Sequence, residues 1–342
     1  MIVLCNLGSE LQAIIKMFNL SFCYHEIFHF KIGTFFGFNT SKSLSPRLVE
    51  ISAGQFENLM QLRRVLLAKG CNELKKKNIS DLEYKDLRIV KGPGILYCLV
   101  FKSGTTHVTR QLKNLFLQGR VKDDSTWLMR IGNKSIPEKC TRADAPSLLI
   151  VRHPFERLVS AFRDKIERTH TWKGYINDYS KNIVKMFRKK AMTYLGERYF
   201  SSLNNYGAPV RVEPPSRRKP TDNLPVFWEF AQYVISGGKS NEHWQPIYTQ
   251  CPICSLRFNY ILKVESLELE LRSYFKKFNW VKKLNFANHD NTNQKHGLNS
   301  SAIMEIYFRD LTDEDIKKLF KIYEMDFHMF GYTYQRGKLK LP

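Results

Sequence analysis

The chain has 342 residues, of which 43% are apolar and 13% aromatic, enough for one large α/β domain or two smaller ones, which excludes a disordered protein. Its 54 Lys and Arg against 32 Asp and Glu leave a net charge of +22, so an anionic partner is expected: nucleic acid, an anionic membrane, an acidic polysaccharide or an acidic cofactor. Seven cysteines (Cys5, Cys23, Cys71, Cys98, Cys140, Cys251 and Cys254) are too few for a disulfide scaffold and leave at least one unpaired, and they allow an oxidising compartment without requiring it.

Residues 1–45 read as an apolar, aromatic leader. Lys16, His25, Glu26 and Lys31 interrupt every window that would reach the roughly 18 to 20 residues needed to cross a bilayer, so no clear transmembrane helix is expected. No basic segment followed by a small-residue cleavage site marks a secretory signal. Asn-x-Ser sequons at Asn19, Asn39, Asn78, Asn133 and Asn299 lean slightly towards the secretory pathway. Residues 46–92 read as a basic helical extension around the segment from Phe56 to Leu67, its basic face expected in solvent.

A buried strand is expected over Gly94 to Val100, followed by the loop Phe101-Lys102-Ser103-Gly104-Thr105-Thr106 and a helix with apolar Val108, Leu112, Leu115 and Phe116. That loop has the parts of a phosphate cradle: a Gly for close backbone approach, small hydroxyl side chains, a helix N-terminus and a lysine. It is not a G-x-x-x-x-G-K-[ST] loop, because Lys102 precedes the single Gly104. Taken alone it is equally well a tight turn with a helix cap.

The second unit begins with a strand over Leu148 to Val151, turns through Arg152-His153-Pro154, and continues as a helix with apolar positions 155, 158, 159 and 162. Pro154 suits the first helical position, where a missing N–H costs nothing. Arg152 supplies a fork of donors and Ser160 a hydroxyl, both suited to phosphate at a helix N-terminus. Arg157 adds charge, or pairs with a carboxylate such as Glu156 or Asp164. Helix capping accounts equally for His107 and His153.

Farther on, the segment from Val212 to Pro220 is Pro-rich and basic and reads as a mobile surface loop able to guide an anionic glycan. Asn241-Glu242-His243-Trp244-Gln245-Pro246 precedes Cys251-Pro252-Ile253-Cys254, which is half a zinc site with nothing to complete it. A structural role is expected for these cysteines, as disulfide partners of Cys140 or another thiol, or as buried side chains. The run Tyr260 to Leu267 and the run Tyr323 to Tyr332 complete the informative blocks.

These blocks together resemble the Golgi carbohydrate sulfotransferases, in the chondroitin, dermatan and HNK-1 branch that uses 3′-phosphoadenosine 5′-phosphosulfate (PAPS). The segment Arg152 to Ala161 matches the family's R-H-P-F-E-R-L-x-S-A over its whole length. The first loop is similar to P-K-x-G/A-C/S-T, with Phe101 in place of Pro and Thr105 where Cys is common. The H-W-x-P, C-x-x-C, K-x-E-[TS]-L and Y-x-x-D-F-x-x-F-G-Y patterns follow in the family's order. The resemblance implies an α/β, P-loop-like nucleotide-binding fold with a central, mainly parallel sheet flanked by helices, forming a sulfotransferase domain over 93–340. It also implies a glycosaminoglycan or glycoprotein glycan as acceptor, a Golgi lumenal location and a type II membrane anchor that the leader does not show.

On this reading PAPS is the co-substrate and no metal is needed. Lys102 neutralises charge at the bridging oxygen and sulfonate, while Ser103, Gly104, Thr105, Thr106 and His107 wrap the phosphosulfate. Arg152 and Ser160, with Arg157, hold the 3′-phosphate. His243 is the first candidate for general base, with Trp244 stacking on the sugar, and Glu265 the second; a structural histidine is the competing account. The partner is an acidic glycan, not nucleic acid, and the oligomeric state is left open. Two other functions fit the same residues: a non-catalytic, basic glycan-binding protein of this fold, and a nucleotide-dependent kinase, which the position of Lys102 opposes.

Overall fold

The structure, a computed structural model, describes residues 51–76, 86–117, 127–131, 136, 142, 144–167, 173–201, 224–256, 258–280 and 299–342. The leader, the sequons at Asn19, Asn39, Asn78 and Asn133, Cys140 and the basic loop from Val212 to Pro220 lie outside these residues. Among the described residues no helix is long and apolar enough to cross a membrane.

Five strands, β1 (Leu87–Val90), β2 (Ile95–Cys98), β3 (Leu128–Arg130), β4 (Leu148–Val151) and β5 (Tyr260–Lys263), form one sheet in the order β3-β1-β2-β4-β5. The strands β2, β4 and β5 are parallel neighbours, whereas β1 runs antiparallel to both β2 and β3. The sheet is therefore mixed, with four of its five strands pointing one way.

Alternation along the strands divides the core into two layers. Leu87, Ile89, Leu96, Cys98, Leu149, Val151 and Ile261 face one side, and Val90, Ile95, Tyr97, Leu148, Ile150, Tyr260 and Leu262 the other. Helix α1 (Ala53–Lys76) reaches both layers, through Leu67, Cys71 and Leu74 on the first side and Phe56 and Met60 on the second. Helices α2 (Thr105–Leu117) and, later, α6 (Leu267–Lys277) cover the second side with Val108, Leu112, Leu271 and Phe275. The first side is covered by α3 (Pro154–Ala161), α4 (Lys181–Ser201), α5 (Phe227–Ile235), α7 (Ser300–Phe308) and α8 (Asp313–Phe330), before a terminal hairpin of β6 (Tyr334–Arg336) and β7 (Leu339–Leu341).

Two elements that the sequence reading puts in an N-terminal extension, α1 and β1, are thus packed into the fold. The expectation of a solvated basic face on α1 needs correction at Arg63, which is only 5% exposed. Arg63 and Arg64 donate to the backbone carbonyls of Ile261 and Asn259, covering the outer edge of the β5 segment with side-chain donors. Arg63 also makes a two-pronged pair with Glu270, at 2.5 and 2.8 Å, and Glu270 further accepts from the Lys263 N–H and the Ser266 hydroxyl. Close approach of α8 to α1 depends on Gly70, where a Cβ would come within 2.3 Å of Met329 Cγ.

Both cysteines of the Cys-Pro-Ile-Cys segment are in disulfides, Cys71–Cys254 and Cys98–Cys251. The partners lie on α1 and at the end of β2, so the segment is pinned to both the helix and the strand that leads into the first loop.

The buried ion pair gives a stability prediction. Arg63→Leu leaves the Glu270 carboxylate buried without its cation and should cost about 3–5 kcal/mol in denaturant unfolding.

Candidate active site

Three loops leave the sheet at the carboxyl ends of the adjacent parallel strands β2, β4 and β5, the edge at which open α/β sheets bind ligands. In the first, Lys102 (φ 67°) and Gly104 (φ 68°) both adopt left-handed backbone conformations. For lysine this costs about 1–2 kcal/mol, so surrounding contacts must hold it. At Gly104 a Cβ would also sit 2.9 Å from Leu267 Cδ2, so a larger residue would have to displace that side chain as well as adopt the left-handed backbone. Thr105 turns its hydroxyl inward to donate to the Val100 carbonyl at 2.6 Å. The backbone N–H groups of Thr105, Thr106 and His107 lie in the first turn of α2. Thr106 is exposed and His107 half-buried. Ser103 is 1% exposed, and its hydroxyl oxygen has no hydrogen-bond partner among the described residues.

The turn after β4 grips the first loop. Arg152 donates to the Lys102 carbonyl at 3.2 Å and to Ser300 Oγ at 2.8 Å, and its Nε lies 3.4 Å from Glu156. Among the described residues these contacts use three of the five guanidinium N–H groups and leave one on each terminal nitrogen. Ser160 is half-buried near the end of α3. Arg157 is placed differently from the sequence expectation. At 1% exposure it donates to the carbonyls of Phe101 (2.9 Å), Gln245 (2.6 Å) and Glu242 (2.9 Å), so it ties the loop to the Asn241–Pro246 segment and forms no pair with Glu156 or Asp164.

Past Ala161 the helix widens into a π-helical stretch, Phe162–Glu167, a feature common at functional sites. From it Asp164 meets Lys102 Nζ at 2.5 Å and Lys165 Nζ at 3.3 Å. Burial pulls the Lys102 ammonium below its usual range, against the hydrogen bond it donates to Asp164. Burial of Asp164 works the other way, yet the Lys102 hydrogen bond and the two ammonium charges hold its carboxyl below the usual range.

His243 lies beside this cluster, 6% exposed, its ring 4.7 Å from that of Phe101. Its Nδ1 is 2.7 Å from Asn241 Oδ1, 3.1 Å from Tyr175 Oη and 3.5 Å from Glu242 Oε1. Burial, with the charges of Lys165 and Lys102, lowers its pKa to about 3. The segment is fixed from below by α8. Asp326 accepts from the Ile247 and Tyr248 N–H groups at 2.7 to 3.2 Å, and Tyr323 donates to the Trp244 carbonyl.

Trp244 corrects an expectation. It is 3% exposed and packs edge-on against Tyr179 and Phe230, so it belongs to the core and offers no face to a sugar. Phe101 and Tyr175 are the partly exposed aromatic rings beside His243. Glu265 accepts on both oxygens, from the His153 N–H at 2.7 Å and the Tyr332 hydroxyl at 3.0 Å, which ties it to the β4 turn and the end of the chain. His153 does not cap α3 with its side chain. It sits edge-on among Phe155, Phe327 and Tyr332 with Nε2 3.1 Å from the Thr333 carbonyl. The sequence offers Asp164, which directly extends the Arg152–Ala161 block, only as a partner of Arg157, and Ser300 belongs to no recognisable loop motif.

A model of the sulfotransferase family matches residues 85–333. The chain is 25% identical over 312 residues to carbohydrate sulfotransferase 11 of Danio rerio, covering 84% of this chain and 80% of that protein. It is likewise 25% identical over 296 residues to carbohydrate sulfotransferase 11 of Rattus norvegicus, covering 80% and 76%. Against carbohydrate sulfotransferase 9 of Homo sapiens the identity is 27% over 188 residues, covering 54% and 37%. No solved structure matches.

Histidine burial predicts a pH effect. Burial lowers His153 to about 4, so this ring is neutral in the fold and takes up a proton on unfolding below its unperturbed pKa of about 6.5. Its contribution is complete above about pH 6.5 and is lost as pH falls towards 4, at up to about 1.4 kcal/mol per pH unit. Denaturant unfolding between pH 5 and 7.5 should show this slope in the wild type and a correspondingly flatter one in His153→Phe.

Proposed function

The chain belongs to the sulfotransferase family, and on that premise we propose that it transfers a sulfuryl group from PAPS to a sugar hydroxyl of a glycosaminoglycan or glycoprotein glycan, chondroitin- or dermatan-like. One observation carries the reading: Arg152, at the end of β4, donates to the carbonyl of Lys102, in the loop after β2, so two anion-binding turns are joined into one site.

The residues present fit the donor. The buried Ser103 hydroxyl, which has no partner among the described residues, the left-handed backbone at Gly104 and the N-terminal turn of α2 suit a phosphosulfate approached closely by backbone. Lys102, Ser103, Gly104, Thr106 and the backbone of Thr105 and His107 would hold that end. Arg152, with two N–H groups to spare, Ser160 and Ser300 would hold the 3′-phosphate, and Arg157 positions the loop without touching the ligand. Because Asp164 already engages Lys102, an incoming anion competes with a carboxylate, which favours a multiply charged donor over a singly charged one.

PAPS supplies the sulfuryl group. The sugar oxygen bonds to sulfur, the bond from sulfur to the bridging phosphate oxygen breaks, and its electron pair leaves with 3′,5′-ADP. Lys102 stabilises the negative charge on that oxygen, and His243 accepts the sugar proton.

An acidic acceptor suits the surroundings. An open groove lined by Lys185, Lys239, Met186 and Tyr233 lies against Tyr179, which stacks on Tyr175 next to His243. The two disulfides suit the oxidising lumen of the secretory pathway and hence a Golgi location.

Transfer of radiolabelled sulfate from PAPS to desulfated chondroitin and dermatan tests the function. Wild type should label at least one of them, and Lys102→Ala should lose on the order of 100-fold or more of the rate. Intact transfer by Lys102→Ala would overturn the mechanism, and a wild type that binds these glycans without labelling them would be a glycan-binding protein instead.

A further inference from the structure

We infer that Asn241 is a positioning residue for the reaction: it holds His243 in the tautomer that carries its proton on Nδ1 and leaves Nε2 free to take the proton of the acceptor. The inference rests on the proposed role of His243 as base, and it adds which nitrogen acts and what selects it.

The hydrogen bonds settle the orientation of the amide. The backbone N–H of His243 donates to the side chain of Asn241 at 3.0 Å, and since an N–H can only donate, the atom facing it is Oδ1. Nδ2 then points the other way, towards Tyr179 Oη at 3.2 Å and Tyr175 Oη at 3.4 Å, which anchor the amide. The same Oδ1 lies 2.7 Å from His243 Nδ1. A carbonyl oxygen accepts only, so Nδ1 must be the protonated nitrogen. Glu242 Oε1, at 3.5 Å from Nδ1, reinforces that choice.

A neutral imidazole has one N–H, and the surroundings keep this ring neutral. Lys102 from the first loop, Lys165 from the π-helical stretch and Arg157 from α3 oppose a second proton, while Asp164 favours one. Glu242 lies beside it on its own loop, and Tyr175 faces it edge-on. Nε2 therefore carries the lone pair, and it makes no hydrogen bond among the described residues. In the transfer step the acceptor O–H proton passes to Nε2 as the oxygen–sulfur bond forms and the bond from sulfur to the bridging phosphate oxygen breaks.

An amide is the suitable partner for this task. It fixes the tautomer without adding charge, whereas a carboxylate would make the same hydrogen bond and also stabilise the doubly protonated ring, raising the pH at which Nε2 loses its lone pair. Asn241 is itself held rigidly, because its carbonyl accepts from the Trp244 and Gln245 N–H groups at 3.0 and 2.8 Å.

The test is the pH profile of kcat, with the KM of a desulfated chondroitin acceptor, for the full chain carrying Asn241→Leu, Asn241→Asp or His243→Ala. Asn241→Leu should lower kcat about 10- to 100-fold with a much smaller change in KM. Asn241→Asp should recover part of that loss, and the acid limb of its profile should move up by a pH unit or more, a shift that a merely structural role would not produce. Calorimetric binding of 3′,5′-ADP checks that each variant is folded, and if Asn241→Leu is not, the profile of Asn241→Asp decides. A wild-type kcat for Asn241→Leu, or an unshifted limb for Asn241→Asp, overturns the inference while leaving His243 as base. A wild-type kcat for His243→Ala overturns both.

Discussion

The site depends on a pair of guanidinium groups that grip consecutive carbonyls. Arg157 holds the oxygen of Phe101 and Arg152 that of Lys102, and between them the backbone is fixed in the left-handed turn that lysine disfavours on its own. Arg157 can be fully buried because backbone oxygens meet each of its three nitrogens, replacing the water it loses. Two of those oxygens belong to the Asn241–Pro246 segment. A single buried cation thus couples the loop after β2, the helix after the β4 turn and the segment bearing His243.

The C-terminal helix acts on the same site at one remove. Its Asp326 and Tyr323 hold the backbone that follows His243, and Tyr332, just past its end, anchors Glu265, which in turn holds the N–H of His153 at the β4 turn. Burial raises Asp326 to about 6, against the hydrogen bonds from Ile247 and Tyr248 and the charge of Arg157. The family-like blocks around Glu265 and from Tyr323 to Tyr332 therefore act on the site by placing backbone.

Local pattern made much of this fold legible. Alternation and short apolar runs mark β2, β4 and β5, and the 155, 158, 159, 162 spacing with Pro154 at its head marks α3. Both loops could be located because each is contained in a few consecutive residues between a strand and a helix. What escaped the sequence depends on partners distant in the chain. Arg63 looked solvated because Glu270 lies 207 residues away, and Arg157 looked like a phosphate ligand because the carbonyls it serves are 56 to 88 residues away. Trp244 carries no mark that separates a sugar platform from a core side chain. The cysteine pairing likewise spans 183 and 153 residues, and Asp164 meets Lys102 across 62 residues.

The central claim is that two turns form one site whose second half recognises a 3′-phosphate. Calorimetric comparison of 3′,5′-ADP with 5′-AMP, in the wild type and in Arg152→Met, tests it most directly. Charge-assisted hydrogen bonds from the two spare N–H groups of Arg152 predict a wild-type preference for 3′,5′-ADP on the order of 10- to 100-fold or more, and its collapse in the variant. An equal preference in both proteins, or none in the wild type, would contradict the account.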